Sequence, residues 1–327
     1  MIPAKNEENS INKCIKCISK NIIKKREFEI LVVLSNTNDK TPKLINVWQK
    51  ILPINVYIKN NYTVYQALNF ALKKAKGTYF VRVDARSFLP ANYIRKTITH
   101  LKKKNVECAG GVQYQYGTNW ISRSNSDALR CFSGTGGAKF RYSNRSGYVD
   151  TVYLGVYRTK TLRSIGGFEE SGKYISEDSL MNKKIINRGY HVYLDKKLKV
   201  RYPAKNTLLN LAKQYFIYGA AKSYLVKKLQ GFTAFRQLFL SVASVGLIMI
   251  CLLTFLRIIS VNILIFLLLS YISFIIIDIL TCKNRTGFFL ITFISIVTIH
   301  FAWVAGFWAG LLNEKIVTKI LNVKITK

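Results

Sequence analysis

The chain has 327 residues, with 50 lysines and arginines against 16 aspartates and glutamates, and therefore a formal net charge of +34. Half of its residues are hydrophobic, which excludes a disordered basic tail. Only seven of the 50 cations lie beyond residue 236, so a basic front precedes an apolar rear. The positive charge of the front part predicts an anionic partner, which could be nucleic acid, a phosphate-bearing substrate or an anionic bilayer. The apolar rear part favours the bilayer among these. The same excess of lysine is also what an A+T-rich genome produces without any function.

The six cysteines show no spacing typical of a small disulfide-bonded scaffold, which favours a reducing cytosol for the front. Cys14 and Cys17 form a C-x-x-C, but no second cysteine or histidine pair follows at zinc spacing. A zinc or redox role is therefore not predicted for them.

The first part of the chain alternates short apolar runs with helical patterns, which is typical of β-α units around a mostly parallel sheet. Residues 29–35 lack polar alternation and predict a buried strand, and 55–58 predict the next one. Apolar residues at helical spacing predict a helix over 64–75, before a strand over 78–83. Asp84 ends that strand, at the sheet edge where open α/β sheets form their ligand crevices.

Beyond residue 104 the pattern loosens, and strands are predicted over 107–114, 148–157 and 191–194. The glycine-rich stretch 133–138 does not match the dinucleotide-binding fingerprint and predicts a flexible loop. Residues 208–230 predict an amphipathic helix lying on lipid, with an apolar face made of Leu208, Leu211, Tyr215, Tyr218 and Leu225.

Three apolar stretches follow, at 237–256, 261–280 and 287–311. A helix rises ~1.5 Å per residue and the hydrocarbon layer is ~30 Å thick, so the first two are predicted spans. Cations before the first span and a short connection after it place the front in the cytoplasm, by the positive-inside rule. A crossing by the third stretch would leave four lysines outside. That stretch is therefore re-entrant or interfacial, or an exception to the rule.

Two polar residues fall within these stretches. His300 is a functional candidate if it lies inside the membrane, whereas Trp303 and Trp308 nearby indicate an interfacial position. Asp278, at the end of the second predicted span, is expected to reach the lipid headgroups.

Seven short motifs occur in a fixed order along the chain. They are IPAKNEE at 2–8, SNTNDKT at 35–41, VRVDARS at 81–87, GAKFR at 137–141, GYVDTV at 147–152, SED at 176–178 and QYFIYG at 214–219. In this order the chain resembles family 2 glycosyltransferases, most closely the membrane-anchored, succinoglycan-type glucosyltransferases of exopolysaccharide assembly. The resemblance covers roughly residues 1–230 and implies an α/β GT-A nucleotide-diphospho-sugar transferase domain.

The resemblance implies that Asp84 holds Mg²⁺ or Mn²⁺ at the diphosphate of a nucleotide sugar. Divalent cations of this kind favour oxygen ligands and neutralise a departing phosphate. The family usually has a second acidic residue, or a histidine, where this chain has Arg86. A guanidinium cannot ligate a metal but matches phosphate oxygens, so Arg86 is expected on the diphosphate. From the residues alone, an aspartate that only turns the chain is an equal alternative for Asp84.

The resemblance further implies that Asp178 is the base of an inverting reaction, with Glu177 next to it at the diphosphate or the acceptor. An aspartate with an ordinary pKa of about 3.9 is ionised at neutral pH and able to accept a proton. The alternative is a helix start, in which Ser176 caps the helix and the two carboxylates complement its dipole. The two interpretations are compatible.

The nucleotide is expected near Pro3, Asn6, Glu7 and Asp39, together with Asp84. Leu34 stands where family members often carry an aspartate. Met1 lies almost at Pro3, so the first strand is short, which leaves an upstream start codon open.

The motif at 214–219 resembles the family's Q-x-x-R-W segment, which lies over the acceptor and diphosphate. Ile217 occupies the arginine position, and Lys222, one helical turn on, is a substitute for the missing charge. Gln214, Tyr218 and Lys222 are therefore expected at the diphosphate or the acceptor.

Together these expectations describe a GT-A catalytic domain over 1–206, an amphipathic interface helix over 207–236, two or three membrane helices over 237–312 and a basic tail over 313–327. The predicted activity is inverting transfer of a hexose from a nucleotide diphosphate sugar, preferably a UDP-sugar. The acceptor is a polyprenyl-linked oligosaccharide at the cytoplasmic face of an anionic inner membrane, in surface polysaccharide synthesis.

The alternative is a degenerate scaffold in a synthesis complex, marked by Leu34, Arg86 and Ile217. Nucleic acid is not a predicted partner, because no helix-turn-helix or aromatic RNA-binding motif occurs. The sugar, the linkage and the oligomeric state stay open.

Overall fold

A computed structural model of the chain describes residues 1–21, 27–103, 105–169, 177–229, 236–282 and 285–313. These residues form two compact units. The first is made of the described residues within Met1–Tyr114, Lys139–Ser171 and Ser176–Pro203, and the second of those within Gln115–Ala138 and from Ala204 onward. The predicted domain ranges stay a prediction, although residues 115–138 group with the rear of the chain.

The first unit begins with a parallel sheet in the order β1-β2-β3. Its strands are β1 (Ile2–Ala4), β2 (Ile30–Ser35) and β3 (Ile54–Lys59), and its helices are α1 (Ile11–Ser19), α2 (Thr41–Gln49) and α3 (Val64–Lys74). Alternate residues of β2 enter two different apolar clusters, one containing Ile15 of α1 and the other Leu68 of α3. Helices therefore cover both faces, which explains why β2 reads as an unbroken apolar run.

A second sheet in the same unit has the order β4-β7-β5-β8-β6 among the described residues. Its strands are β4 (Tyr79–Val81), β5 (Val106–Tyr116), β6 (Gly147–Tyr148), β7 (Tyr153–Arg158) and β8 (His191–Pro203). The pairs β4–β7, β5–β7 and β6–β8 are antiparallel. Met1 joins the two sheets, since its amino group donates to the carbonyl of Val81 at 2.8 Å and its carbonyl accepts from the amide of Val83 at 3.0 Å.

The α/β class is confirmed, and the parallel pairing expected in a mostly parallel sheet is found for β1 to β3. From β4 onward the described pairs β4–β7, β5–β7 and β6–β8 are antiparallel, and such neighbours need no crossover helix between them. The single strand predicted over 148–157 is wrong. The chain changes partner within it, from β8 at Tyr148 to β5 and β4 at Tyr153–Arg158, and so forms two strands.

Four further helices complete the described part of the first unit: α4 (Tyr93–Leu101), α7 (Lys139–Tyr142), α8 (Thr159–Ser164) and α9 (Glu177–Asn187). Helix α9 packs through Met181 and Ile185 into the same cluster as α3. Its buried Asn182 donates to the side-chain oxygen of Thr151 at 2.8 Å, which fixes the helix beside the start of β7.

The second unit contains α5 (Trp120–Ala128), α6 (Phe132–Thr135), α10 (Leu208–Leu229), α11 (Arg236–Phe255), α12 (Val261–Thr281) and α13 (Phe289–Leu312). The loop predicted over 133–138 is partly wrong, because α6 covers its first residues. Asp278 accepts hydrogen bonds from the backbone amides of Phe132 and Ser133, at 3.3 and 2.7 Å, and so caps α6. This also corrects its expected contact with lipid headgroups, since the carboxylate already has protein partners.

Helix α10 packs along α13. An added Cβ on Gly219 would come within 2.1 Å of the carbonyl of Trp303, so the two backbones are in direct contact. Leu211 and Tyr215 share a buried cluster with Ile299 and Phe307 of α13. The apolar face that was predicted to lie on lipid is therefore covered by protein, because α13 offers small residues that let it approach.

Among the described residues, α12 and α13 are long and apolar enough to cross a bilayer, whereas the apolar part of α11, Phe239–Phe255, is shorter. The third apolar stretch forms one continuous helix without a re-entrant break. Both ring nitrogens of His300 have partners there, the hydroxyl of Tyr271 and the carbonyl of Ser133, each at 2.9 Å. His300 thus links three segments of the unit.

Candidate active site

Three loops of the first unit carry the predicted nucleotide residues, and each loop follows the carboxyl end of a strand. The loop after β1 holds Asn6 and Glu7, the loop after β2 holds Asp39, and the segment after β4 holds Asp84. The carboxylate of Asp84 is 29% exposed, and its backbone carbonyl closes a turn by accepting from the amide of Ser87 at 2.9 Å. This is the sheet edge that the sequence pattern indicated for Asp84.

Arg82, just ahead of that segment, binds two acidic groups at once. Its Nε lies 3.1 Å from Oδ1 of Asp84, and its Nη2 lies 2.7 Å from Oε1 of Glu177. Burial alone would lower the pKa of Arg82, but the carboxylates of Asp84, Glu177 and Asp178 raise it, so the guanidinium stays charged. The structure therefore brings the predicted metal residue and the acidic pair of α9 to one cation.

Glu177, the first residue of α9, is almost fully buried. Its burial raises the pKa of its carboxyl, and the charge of Arg82 opposes that effect. Asp178 is more exposed, and its Oδ1 accepts from the amide of Ser179 at 2.7 Å. The expected cap Ser176 lies outside the described residues. The two carboxylates occupy the first turn of α9, where the helix dipole favours negative charge, so the helix-start interpretation holds alongside any catalytic one.

Arg86 forms an ion pair with Glu7. Its Nε donates to both carboxylate oxygens of Glu7, each at 2.9 Å, and this bond raises the pKa of the guanidinium. The predicted diphosphate residue and a predicted nucleotide residue are therefore neighbours. About half of the Arg86 side chain is exposed.

Asp39 links the loop after β1 to the loop after β2 by hydrogen bonds. Its oxygens accept from the backbone amides of Glu8 and Thr41, both at 3.0 Å. Desolvation acts to raise the pKa of Asp39, but hydrogen bonds from Thr41 and Glu8 lower it overall. Asn6 has the left-handed backbone (φ 53°) that asparagine tolerates, and its Oδ1 accepts from the amide of Asn38 at 2.9 Å.

Among the nucleotide residues, Pro3 lies within β1 opposite Val33 of β2. It cannot donate a backbone hydrogen bond, since proline has no amide hydrogen, and its role at the nucleotide stays a prediction. Leu34 is buried in the core, so the position where relatives often carry an aspartate is filled by packing.

The predicted acceptor residues belong to the second unit. On α10, Gln214 donates from Nε2 to the hydroxyl of Tyr218 at 2.8 Å. Lys222 is half-buried one turn further along the same helix. Their roles stay a prediction.

A divalent cation fits this site through one carboxylate. No group of three or more histidine, cysteine or acidic residues forms a metal cage among the described residues. Mg²⁺ commonly uses one or two carboxylates together with substrate phosphates and water, so such a cage is not required. Arg82 occupies Oδ1 of Asp84, and the other oxygen of this partly exposed carboxylate is the donor that the site offers.

The sequence interpretation missed Arg82. The available signal was its position, since a charged residue two places before Asp84 interrupts an otherwise apolar strand. It also missed Asp127, which is fully buried in the second unit and accepts from the amides of Thr286 and Gly287 at 2.8 and 2.7 Å. Nothing in the local pattern around Asp127 pointed to a partner so distant in sequence.

Comparisons with known proteins agree with this architecture. Residues 1–164 match the family described as Glycosyl transferase family 2. The chain is 26% identical over 236 residues to a dolichyl N-acetyl-alpha-D-glucosaminyl phosphate 3-beta-D-2,3-diacetamido-2,3-dideoxy-beta-D-glucuronosyltransferase of Methanococcus voltae, an alignment that covers 70% of this chain and 73% of that protein. It is 21% identical over 239 residues to the succinoglycan biosynthesis protein ExoA of Rhizobium meliloti, covering 73% of this chain and 71% of that protein.

Among solved structures, the chain is similar to the mannosyltransferase PcManGT from Pyrobaculum calidifontis, determined in complex with GDP-Man and Mn²⁺. The TM-score is 0.65 at 16% sequence identity, and the match covers 96% of this chain and 86% of that one. At this identity the likeness shows the fold, which is GT-A.

Proposed function

Because the chain belongs to glycosyl transferase family 2, and is therefore a glycosyltransferase, we propose that it transfers a hexose with inversion from a nucleotide diphosphate sugar to a lipid-linked oligosaccharide. The observation that carries this proposal is the placement of Asp84 and Glu177, which bind one guanidinium although they are far apart in sequence. Asp178 follows Glu177 directly in the first turn of α9, which supports the proposal that it acts near Asp84.

In the proposed reaction, Asp178 accepts the proton of an acceptor hydroxyl. The hydroxyl oxygen bonds to the anomeric carbon while the bond from that carbon to the diphosphate breaks on the opposite side, so the configuration inverts. The nucleoside diphosphate leaves with the electron pair of the broken bond. A carboxylate that is ionised at neutral pH suits this single proton transfer.

Asp84 is the proposed ligand for Mg²⁺ or Mn²⁺, which would neutralise charge on the leaving diphosphate. Arg86 supplies a second positive charge, reduced by its pairing with Glu7. In the first unit, Asn6 and Asp39 organise the loops proposed to hold the nucleotide. The donor that we propose is a UDP-sugar. The relative named for a dolichyl N-acetylglucosaminyl phosphate substrate supports a polyprenyl-linked acceptor. The apolar helices support a site at a membrane, for which we propose the cytoplasmic face of the inner membrane.

The test is turnover by Asp178→Asn in membranes supplied with a panel of radiolabelled sugar nucleotides. We expect transfer by the wild-type chain and a loss of at least about 100-fold in the variant, since general base catalysis contributes about 100- to 10,000-fold. Asp195→Asn is the matched control. It makes the same change at an aspartate that pairs with His100 in β8 and has no role in the proposed reaction. Unchanged turnover in Asp178→Asn would remove the proposed base.

A second candidate function, a non-catalytic scaffold, is favoured by one observation: Arg86, at the position where the family resemblance implies a second metal ligand, is paired with Glu7. A scaffold that has lost its donor would show no thermal stabilisation by UDP-, GDP- or dTDP-sugars. We expect stabilisation by at least one of them, because a ligand that binds only the folded chain raises its melting temperature.

A further inference from the structure

Arg82 lies in the interior of the first unit. Its side chain is only 8% exposed, and that of Glu177 is 2% exposed, so their ion pair is almost fully shielded from water. A buried charge persists only when its partners compensate the loss of hydration. The two carboxylates that compensate Arg82 come from the segment after β4 and from the first turn of α9.

The guanidinium suits this double contact by its shape. Arginine presents a rigid planar fork of donors, whereas lysine offers a compact point charge on a flexible stem. Here Nε faces Asp84 and Nη2 faces Glu177, so a single side chain fixes the spacing between two segments separated by more than ninety residues. Helix α9 is also anchored by Asn182 to Thr151, and Arg82 fixes its first turn.

The remaining nitrogen, Nη1, is buried without a hydrogen-bond partner among the described residues. Such an unsatisfied donor destabilises a fold, and apolar residues of similar size would pack at lower cost. Stability alone is therefore a weak reason for an arginine at this position. Its two ion pairs point instead to a role in setting the geometry of the acidic groups.

We infer that Arg82 is a positioning residue of the active site, whose buried guanidinium holds Asp84 and Glu177 together and thereby fixes the adjacent Asp178. This inference rests on the proposed function, in which Asp84 faces the diphosphate and Asp178 takes the acceptor proton. Arg82 itself acts through these carboxylates.

The first test compares kcat and KM for the sugar nucleotide in Arg82→Met and Arg82→Lys. Misplacing a reacting group by 1 Å costs about 100-fold in rate, so we expect kcat of Arg82→Met to fall by about that factor, with a smaller change in KM. Arg82→Lys keeps the positive charge but lacks the planar set of donors, so its kcat should lie between those of the wild type and Arg82→Met.

Arg158→Met is the matched control. Arg158 pairs with Glu107 at 3.3 Å, and its backbone lies opposite Tyr79, at the end of β4 remote from Asp84. Its loss also removes an arginine–glutamate ion pair, a more exposed one, and should leave kcat near the wild-type value. A wild-type kcat in Arg82→Met, or equal losses in Arg82→Met and Arg158→Met, would overturn the inference.

A double variant separates positioning from charge balance. Arg82→Met removes the cation that faces the buried carboxylate of Glu177, whereas Arg82→Met with Glu177→Gln removes both charges and should recover much of the lost thermal stability. If Arg82 positions the site, kcat of the double variant stays well below that of Glu177→Gln alone. If the two have the same kcat, Arg82 only balances a charge and the inference fails.

Hydrogen exchange gives a readout that does not need turnover. We expect Arg82→Met to raise amide exchange together at residues 84–87 and in the first turns of α9, which Arg158→Met should not do. Unchanged exchange at both segments would overturn the inference even if the wild-type chain transferred no sugar. Absent transfer with joint exchange would instead remove the proposed function and leave Arg82 as the link between the segments.

Discussion

At the scale of single residues, the site differs from a simple acidic metal site by having two arginines close to Asp84. Arg82 pairs with one oxygen of that carboxylate, and Arg86, two residues further along the chain, pairs with Glu7 at the position where the family resemblance implies a second ligand. Each guanidinium brings a fixed positive charge that needs no cation from solution. We therefore expect any bound metal to be held weakly by the protein and mainly by the diphosphate.

Replacing Arg86 tests this division of charge. Arg86→His releases Glu7 and adds an imidazole, which ligates divalent metals, two residues after Asp84. We expect this variant to reach half-maximal transfer at a lower Mn²⁺ concentration than the wild type. Arg86→Met is the control, because it also releases Glu7 but adds no ligand. Equal Mn²⁺ requirements in the two variants would show that position 86 does not face the metal.

Site residues that belong to a local sequence pattern could be predicted, whereas contacts between distant segments could not. The pattern located Asp84 after an apolar strand and Glu177 and Asp178 at a helix start, whereas their roles in the site were implied by the family resemblance. The ion pairs from Arg82 to Glu177 and from Arg86 to Glu7 join segments far apart along the chain. Such pairings depend on how the strands and helices assemble, which no local pattern encodes.

At the scale of elements, strands with a continuous local pattern were predicted more accurately than strands whose pairing depends on distant segments. Strand β2 is buried on both faces, and its apolar run predicted it almost to the residue. Strand β8 extends to Pro203, nine residues past its predicted end. Exposed lysines among its buried residues interrupt the apolar run from which a buried strand is predicted. Helix α10 was predicted in place, but its partner was assigned to lipid rather than to α13, since both present an apolar surface.

The contact between α10 and α13 depends on glycines. An added Cβ on Gly306 would lie 2.0 Å from the carbonyl oxygen of Phe216, a backbone atom that cannot move aside easily. We expect Gly306→Ala to destabilise the second unit by about 1–3 kcal/mol, the usual cost of overpacking a well-packed interior. Thermal unfolding of the detergent-solubilised chain measures this effect.

Gly246→Ala is the control for that substitution. Gly246 also lies inside a helix, α11, but an added Cβ there meets no atom within 4 Å. Alanine favours a helix over glycine by about 1 kcal/mol, so this variant should be neutral or slightly more stable. Equal stability of Gly306→Ala and the wild type would mean that the two helices are not in direct contact.

At the scale of the whole molecule, the charge asymmetry along the sequence bears on how the second unit meets the membrane. Helix α13 is long and apolar enough to span a bilayer, but α10 packs along it. The contacts advance together along both helices, from Gly219 with Trp303 to Ser223 with Gly310, so the two run in the same direction. Helix α10 carries lysines, among them Lys213 and Lys227, and the latter lies 3.4 Å from the carbonyl of Gly310.

These lysines argue against a crossing by the α10–α13 pair. Each lysine at the centre of a spanning helix costs about 2.5–3.5 kcal/mol on insertion scales, while at an interface its ammonium reaches water and anionic headgroups. The exposed apolar surfaces of α11 and α12 carry no such charges in their middle portions. We therefore expect the α11–α12 hairpin to enter the bilayer and α13 to stay at the interface, which also keeps the four C-terminal lysines on the side of the catalytic domain.

Labelling with a membrane-impermeant maleimide distinguishes the two arrangements. Ile58→Cys marks the side of the first unit, Ser260→Cys marks the α11–α12 connection, and Leu312→Cys marks the end of α13; the unsubstituted chain gives the background from its own cysteines. With α13 at the interface, Ile58→Cys and Leu312→Cys react from the same face of sealed vesicles, and Ser260→Cys reacts from the other. If α13 spans instead, Leu312→Cys reacts together with Ser260→Cys, and the lysines of α10 must then find water or anionic partners within the membrane.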